Sequence, residues 1–430
     1  WTWNWDGAIA ANSSNVDTDY DPTKNRSKGI LRNSINRQDT YGVISKLNFD
    51  VNSSLKTQVG IDWRTAGIEH AREVRDLLGG DYFVYSGNKN DNTSASKMKK
   101  LGDIIAYHNN TTVDWLGYYA QGNYVSGPIN AYGMIGLSSI SYTYQDMFTT
   151  AKEVVKADAI STMQIKGGLM YDLSDNISVF GNYGIVEKPP ILDNVIYYDG
   201  TVASKPVNET FNSMEFGLNF NSQKYAVKAN YYNTQWKDRN LTKSVTTGQG
   251  SSGDTDVIFL TGVDQSHTGI EIEGSAQVID MLRLDFAASF GTWKFADDAS
   301  GIYTDYSEET TTQTQYSYAL KDLWVGDMPQ TGLVVGATAT PLPGLSIQGV
   351  MNYYDKNYAD WSPGDREIEG GTADRDQVWM APGYSKIDLH AYYNLPMQVA
   401  GTNIQLFAHV FNLTDALFIQ DATDNSQYNS

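Results

Sequence analysis

Cysteine is absent from the 430 residues, and proline is sparse, with 11 residues. The lack of cysteine excludes a disulfide framework and cysteine-ligated metal sites, although it fits several cellular compartments. No run of about 18 apolar residues occurs, so the sequence contains no transmembrane helix. Basic residues are few: 31 Lys and Arg stand against 50 Asp and Glu, and the net charge of −19 argues against nucleic acid as a partner.

The first residues, Trp1-Thr2-Trp3-Asn4-Trp5, include neither an initiator methionine nor a signal peptide, so we expect the sequence to begin inside a longer chain. The 29 Tyr and 10 Trp are typical of β-strands and of the aromatic belts at membrane interfaces. Large extracellular β-proteins are also rich in tyrosine, so composition leaves both classes open.

Apolar and polar residues alternate with a period of two over many segments of about ten residues, as in 55–64, 270–278, 282–290 and 345–353. Because side chains alternate faces along a strand, each segment has one apolar and one polar face. Fifteen strands are predicted, near 1–10, 41–50, 55–66, 114–126, 130–143, 162–173, 177–186, 211–220, 225–237, 266–278, 282–295, 330–341, 345–356, 384–395 and 403–415.

The predicted connections alternate strictly between short and long. Outer-membrane β-barrels have this organisation, with short turns at the periplasmic end and longer loops outside. A soluble sandwich with Greek-key connections has no reason to sort its loops by length. The short turns are 51–54, 127–129, 174–176, 221–224, 279–281, 342–344 and 396–402, and the long loops are 11–40, 67–113, 144–161, 187–210, 238–265, 296–329 and 357–383.

A soluble antiparallel protein with its apolar faces turned inward is the competing interpretation, because periodicity alone does not tell inside from outside. The apolar faces end in aromatic residues such as Tyr118 and Tyr231, as interfacial girdles do. The other faces carry charges that suit a wide, hydrated lumen, namely Glu271, Glu273, Arg283 and Asp285. The sequence therefore predicts an all-β protein, a large antiparallel up-and-down transmembrane β-barrel whose apolar side chains, such as Val59, Ile61 and Trp63, point to lipid.

Fifteen strands are an odd number, whereas bacterial single-chain barrels have an even number. The last predicted strand runs outward, and the chain then enters 416–430. We therefore expect at least one strand after Ser430 and further strands before Trp1.

A series of motifs over about 180–415 resembles, in order, the C-terminal barrel region of TonB-dependent receptors. Residues 60–79 extend the match upstream. The motifs are Phe180-Gly-Asn-Tyr183 with Pro189-Pro190, Met214-Glu215-Phe216-Gly217, Ala229-Asn-Tyr231-Tyr232-Asn233, Thr268-Gly269-Ile270-Glu271-Ile272-Glu273, Met328-Pro329-Gln330, Ala381-Pro382-Gly383-Tyr384 before Ile387-Asp388-Leu389, and Val410-Phe411-Asn412-Leu413-Thr414-Asp415.

The resemblance implies a 22-stranded barrel with an N-terminal plug and a TonB box, so residues 1–430 would be a partial barrel domain without the plug, the first strands and the last strand. It implies active uptake of a scarce large solute (a siderophore, cobalamin, a glycan or a peptide) and no enzymatic reaction. The implied partners are the TonB complex, outer-membrane lipid and lipopolysaccharide, and the solute. A surface lipoprotein is a further candidate partner. A passive porin, a barrel enzyme and a soluble β-protein are the alternatives.

Catalytic and metal-binding motifs are not found, and the residues indicate no cofactor. The histidines lack metal-site spacing, and for His390 and His409, on the polar faces of neighbouring strands, a solvated face is favoured over a lumenal pair. Asp297-Asp298 and Asp421-Ala-Thr-Asp424 lack an EF-hand spacing.

The segment Glu69–Leu78 has helical spacing and predicts a short helix. Loop aromatics are the candidate ligand contacts, with loop packing as the competing explanation: Tyr197, Tyr198, Tyr303, Tyr306, Tyr358 and Trp361.

Overall fold

A computed structural model describes residues 3–197, 199–247, 254–305, 312–399 and 401–424. Fourteen long strands form one antiparallel sheet that curves into a barrel wall. The strands are β1 (Leu31–Asp50), β2 (Leu55–Asp76), β3 (Ile104–Ser126), β4 (Ile129–Asp146), β5 (Ile160–Ser174), β6 (Ile177–Lys188), β7 (Glu209–Asn221), β8 (Tyr225–Thr247), β9 (Asp254–Ile279), β10 (Leu282–Phe295), β11 (Thr331–Leu342), β12 (Leu345–Asp355), β13 (Tyr384–Val399) and β14 (Thr402–Val410).

Each wall strand pairs with the next one along the chain, from β1 through β14. The connections after β1, β3, β5, β7, β9, β11 and β13 have at most four residues, and the one between β8 and β9, 248–253, has six. The other five connections have 13 or more residues. The predicted up-and-down meander, with all short turns at one end, is confirmed. We call its two ends the short-turn end and the loop end.

The apolar faces of the strands lie on the exposed surface of the wall. Val59, Ile61 and Trp63 on β2 are 41%, 37% and 42% exposed, and Phe286 and Phe290 on β10 are also exposed. A soluble sandwich would bury these side chains between two sheets. Their exposure fits a wall whose apolar side contacts the hydrocarbon of a bilayer.

Several strands are longer than predicted, and the largest extensions are at the loop end. β1 begins at Leu31 rather than near residue 41, β8 continues to Thr247, and β9 already begins at Asp254. The β1 extension is polar on both faces, as in Arg32-Asn33-Ser34, whereas the β9 extension carries the consecutive apolar residues Val257-Ile258-Phe259-Leu260. Neither shows the apolar alternation from which strands are recognised. The hydrogen-bonded ladder therefore continues beyond the part of the wall that the pattern marks.

The strand predicted over residues 1–10 is wrong, because this segment forms helix α1, Trp5–Ser13. The side chain of Asn4 accepts a hydrogen bond from the backbone N–H of Gly7 and caps the helix, which continues through an alanine-rich stretch. The Trp-x-Trp-x-Trp alternation covers only five residues and is followed by good helix formers. The wall has fourteen strands within the described residues, so the argument from an odd strand number no longer applies.

No described helix is long and apolar enough to cross a membrane.

The helix predicted over Glu69–Leu78 is also wrong, because β2 continues to Asp76. Glu69 lies opposite Arg37 on β1, and the two side chains form an ion pair of 2.9 Å. His108 on β3 contacts the same carboxylate at 3.1 Å. Pairing on both edges of β2 thus overrides the local helical spacing, as expected where cross-strand contacts decide the structure.

The remaining elements are short and lie among the loops at the loop end. Arg26–Ser27, Tyr82–Val84 and Met98–Lys99 form a small three-stranded sheet, and Ala299–Asp305 pairs with Thr312–Tyr318. The others are Val154–Lys156, Asn357–Tyr358 paired with Met380–Ala381, and the short helices α2 (Ser94–Lys97), α3 (Pro363–Arg366) and Leu192–Asn194.

Candidate functional site

The loops pack together in two hydrophobic clusters beyond the wall. The larger one, which we call the loop cluster, contains residues from the loop end of β9, from the hairpin 299–318 and from the loop between β12 and β13. Its buried members are Leu260, Val263, Phe295, Ala299, Tyr318, Leu320, Leu323, Tyr358, Trp361 and Val378. Because these loops bury apolar side chains against one another, they form one packed layer, which we call the loop layer.

Two of the predicted ligand contacts, Tyr358 and Trp361, lie inside the loop cluster. Tyr358 stacks on Trp324 with ring centroids 5.0 Å apart and planes within 6°. Trp361 is 1% exposed and packs against Tyr318, with ring centroids 5.6 Å apart. In this arrangement both rings serve loop packing, so a ligand would reach them only if the loops open.

Tyr197 lies beside a different cluster of the loops. Tyr197 is half-buried and follows Val195 and Ile196, which belong to the second cluster with Ile140, Tyr142, Tyr144 and Ala157. The backbone of Tyr303 pairs with Ile258 in the hairpin. Tyr198 and Tyr306 lie outside the described residues. The structure therefore brings together one pair of the six, and contact with a ligand stays a prediction.

A charged network that sequence analysis missed lies against the loop cluster. Lys243 on β8 forms an ion pair with Asp360, and its Nζ lies 4.9 Å from the ring centroid of Trp361. Burial, the charge of Asp360 and a hydrogen bond with Asp421 raise the pKa of Asp327 to about 6. These residues come from four segments more than 30 positions apart, so no local spacing could have indicated them.

The four charged residues predicted to face the lumen occupy a single face of the sheet. In the β9–β10 register, Glu271 and Glu273 lie opposite Ser289 and Ala287, and Asp285 lies opposite Ser275. Arg283 donates to Asp285 at 2.9 Å. Glu273 lies 3.7 Å from Lys228, and Asn230 donates to Glu271 at 3.3 Å.

Glu273, Arg283 and Asp285 also line a pocket of about 540 Å³, together with Lys228 and Gln348. The charges on this face are therefore largely compensated, which makes it a hydrated polar wall rather than a field of one sign.

The charged polar face of the wall and the loop cluster lie at different positions along the strands. Asp285 is close to the short turn that begins β10, and Phe295 is the last residue of that strand. Ten residues at ~3.3 Å each place them about 33 Å apart along the strand. The candidate site thus has two levels, a folded loop layer at one end and a polar wall toward the other.

The structure also brings two histidines together, against the expectation of two separately solvated side chains. His390 on β13 and His409 on β14 lie directly opposite each other, with their Nδ1 atoms 2.8 Å apart. Among the described residues, no group of three or more His, Asp or Glu side chains is arranged to hold a metal ion.

An exposed apolar exterior, a polar inner face and loops gathered at one end define a transmembrane β-barrel of the outer-membrane receptor type. The sequence profile of the family described as "TonB dependent receptor-like, beta-barrel" matches residues 1–413. This chain therefore belongs to the TonB-dependent receptor family, as its motifs predicted.

Solved structures of such receptors share the fold. "Copper transporter OprC" has a TM-score of 0.63 at 16% identity, over 91% of this chain and 53% of its own. The ferric-catecholate import receptor Fiu from E. coli K12 has a TM-score of 0.55 at 13% identity, over 90% and 51%.

BauA, the ferric preacinetobactin receptor of Acinetobacter baumannii, has a TM-score of 0.55 at 15% identity, over 90% and 52%. The chain thus spans about half the length of these proteins. No curated protein sequence matches it significantly.

Proposed function

We propose that this chain forms the wall and the extracellular loops of an outer-membrane receptor that takes up a scarce, large solute by active transport driven by the TonB complex. The solute classes under consideration are siderophores, cobalamin, glycans and peptides. No bond of the solute is made or broken. Binding takes place at the loop end, and the solute then passes along the polar face of the wall.

Membership of the receptor family and the two-level arrangement of the candidate site support this proposal. A polar face with compensated charges, such as the Arg283–Asp285 pair, presents hydrated groups to a passing solute without holding it strongly. The loop cluster gives the extracellular end a folded surface on which aromatic rings stack with a ligand. In this proposal the solute first contacts four tyrosines, Tyr197, Tyr198, Tyr303 and Tyr306. It contacts Tyr358 and Trp361 only after the loops open.

The test uses the full-length receptor in cells that lack other receptors of this family. Ferric siderophores, cobalamin, oligosaccharides and peptides are screened first for binding to the purified receptor through quenching of tryptophan fluorescence. Uptake of the radiolabelled binder is then compared between cells with and without TonB. We expect uptake only with TonB. A binder that enters equally well in both strains would contradict the proposal.

Tyr197→Ala and Tyr303→Ala are expected to weaken binding by about 3- to 10-fold each, the worth of one stacked ring. Tyr41→Ala is the matched control, because Tyr41 lies on the apolar face of β1 and is exposed there. A passive porin is distinguished by reconstitution into planar bilayers, where the full-length receptor should give no steady ion current. A stable open conductance would favour the porin.

A further inference from the structure

The histidine pair on the last two wall strands has the geometry of a chelating site. His390 and His409 are direct cross-strand partners, their Nδ1 atoms are 2.8 Å apart, and their ring centroids are 5.0 Å apart. Neither side chain belongs to the loop cluster or to the polar contacts described above. Imidazole nitrogen is the most common protein ligand for transition metals.

The sheet fixes the face on which the pair stands. An unbroken register runs from Arg283 through Thr338 and Gln348 to His390 and then His409. Directly opposed residues point to the same side of a sheet, so both imidazoles share the face that carries Arg283. Two adjacent strands of a continuous wall hold the two rings at a set separation, which removes much of the ordering cost of chelation.

The nitrogen separation is short enough for one metal ion to bind both rings. In the metal-free pair, one imidazole N–H donates to the Nδ1 of the other ring, so a single proton is shared between the two lone pairs. A metal ion that replaces this proton takes both lone pairs. With metal–nitrogen bonds of 2.0–2.1 Å, cis ligands of a square-planar ion are about 2.9 Å apart, and tetrahedral ligands about 3.3 Å. The observed 2.8 Å is the length of the metal-free hydrogen bond, and a shift of about 0.5 Å or less reaches either arrangement.

The surroundings keep the rings in place and leave one side open. The rings of Tyr392, Phe407 and Phe411 lie 5.4, 5.5 and 6.0 Å from that of His409. Lys386, a cation on the same face of β13, is paired with Asp388 at 3.4 Å, so its charge is compensated. The solvent-accessible side of the pair leaves room for water to complete the coordination of a bound ion.

We propose that His390 and His409 form a two-nitrogen site for a divalent transition-metal ion on the inner face of the wall, with Cu(II) preferred to Zn(II). Two protein ligands and an open water side make the site exchangeable rather than structural. The preference follows from the general order of divalent-ion affinities, in which copper stands above zinc. The site does not depend on which solute the receptor takes up.

Titration of the purified full-length receptor with copper sulfate, followed by electron paramagnetic resonance, tests the site. We expect one Cu(II) per chain with hyperfine splitting from two nitrogens. His390→Gln and His409→Gln should each reduce the affinity by about 100-fold, the loss of a second tethered ligand, and leave one nitrogen at most. His108→Gln is the control, because His108 pairs with Glu69 on another part of the wall, and it should bind copper like the native chain.

Folding of each variant is checked by heat-modifiable migration on detergent gels. His409→Cys supplies a second test, since a thiolate restores a second ligand and should recover binding with a sulfur-to-copper charge-transfer band. Copper spectra that are the same in the native chain and in both glutamine variants would overturn the proposal. Tighter binding of Zn(II) than of Cu(II) would overturn the preference for copper.

Discussion

Arg366 and Asp424 form an ion pair of 2.7 Å in which both side chains are 1% exposed. Arg366 ends helix α3 in the loop between β12 and β13, and Asp424 follows the last wall strand. Arg366 also donates to the carbonyl oxygen of Asp376 at 2.7 Å, and Asp424 accepts from the backbone N–H of Trp379 at 3.1 Å. The pair therefore links the segment after β14 to the loops at the loop end.

Asp424→Ala is expected to loosen this attachment strongly, because it removes the buried carboxylate that pairs with Arg366 and leaves only the partly exposed Asp374, at 3.4 Å. Removing one partner of a buried pair typically costs about 3–5 kcal/mol. Hydrogen exchange should show faster exchange of the backbone N–H of Ala319, which donates to the carbonyl oxygen of Arg366.

Arg375→Gln is the matched control, because its pair with Asp298 is exposed and is expected to contribute less than about 1 kcal/mol. Equal protection of the loop in the two variants would show that the buried pair does not hold it.

Asp327 should make the stability of the loop layer depend on pH. Its pKa is raised from 3.8 to about 6 in the folded protein, first by burial and then by Asp360 and Asp421. The folded state therefore binds this proton more tightly than the unfolded state, and the resulting stabilisation is lost as pH rises from about 4 through about 6. Thermal melting at pH about 5 and about 7.5 should show a smaller decrease for Asp327→Asn than for the native chain.

Asparagine is a suitable replacement because Asp327 has a φ of 67°, a left-handed conformation that asparagine tolerates. Asp322→Asn is the control, since Asp322 has a φ of 69° and lies in the same connection. It should retain the pH dependence of the native chain. An Asp327→Asn variant with that same dependence would exclude Asp327 as its source.

The sequence predicted the wall well and the loop layer poorly, for a physical reason. Residues 282–290 alternate because one face contacts lipid and the other water, so their strand is visible in the pattern. Residues 69–76 have two buried apolar residues, Ala71 and Val74, which do not alternate, and it is their partners on β1 and β3 that make them a strand. The topology could be predicted from the alternation of short and long connections, because in an up-and-down meander successive connections lie at opposite ends of the sheet.

The candidate site likewise has one part that the sequence predicted and another part that it did not. The shared face of Glu271 and Arg283 follows from alternation along β9 and β10. In contrast, the contact between Lys243 and Asp360 joins residues 117 positions apart, and the pairing of His390 with His409 depends on a register that shifts between Asn394 and Gln398. Contacts of this kind have no local signature.

Cross-strand packing of aromatic rings over glycine should be sensitive to a single methyl group. Gly217 on β7 lies opposite Phe180, and a Cβ at Gly217 would come within 2.2 Å of that ring. Gly217→Ala is expected to destabilise the barrel by about 1–3 kcal/mol, as overpacking does. In Gly133→Ala, the control on β4, a Cβ would have no heavy atom within 4 Å.

Urea unfolding in lipid vesicles measures both variants. A loss for Gly133→Ala as large as that for Gly217→Ala would trace the effect to strand propensity instead of to the ring.

Phe286 and Ala287 are neighbours on β10 that test which side of the wall meets lipid. Phe286 lies on the exposed apolar face, and Ala287 lies opposite Glu273 on the polar face. Phe286→Arg should cost roughly 2–4 kcal/mol near the bilayer midplane, because the guanidinium would enter hydrocarbon, and Ile272→Arg should behave likewise. Ala287→Arg places the same charge beside a carboxylate and water, with an expected change within about 1 kcal/mol.

Urea titration of the barrel refolded into phosphatidylcholine vesicles gives the three free energies of unfolding. The added side chain is the same in all variants, so the difference between Phe286→Arg and Ala287→Arg reports the environment of each face together with the loss of the phenyl ring. If Ala287→Arg were the more damaging change, the faces would be assigned the wrong way round. The polar wall and the histidine pair would then point to lipid, where their charges and hydrogen-bonding groups would have no water.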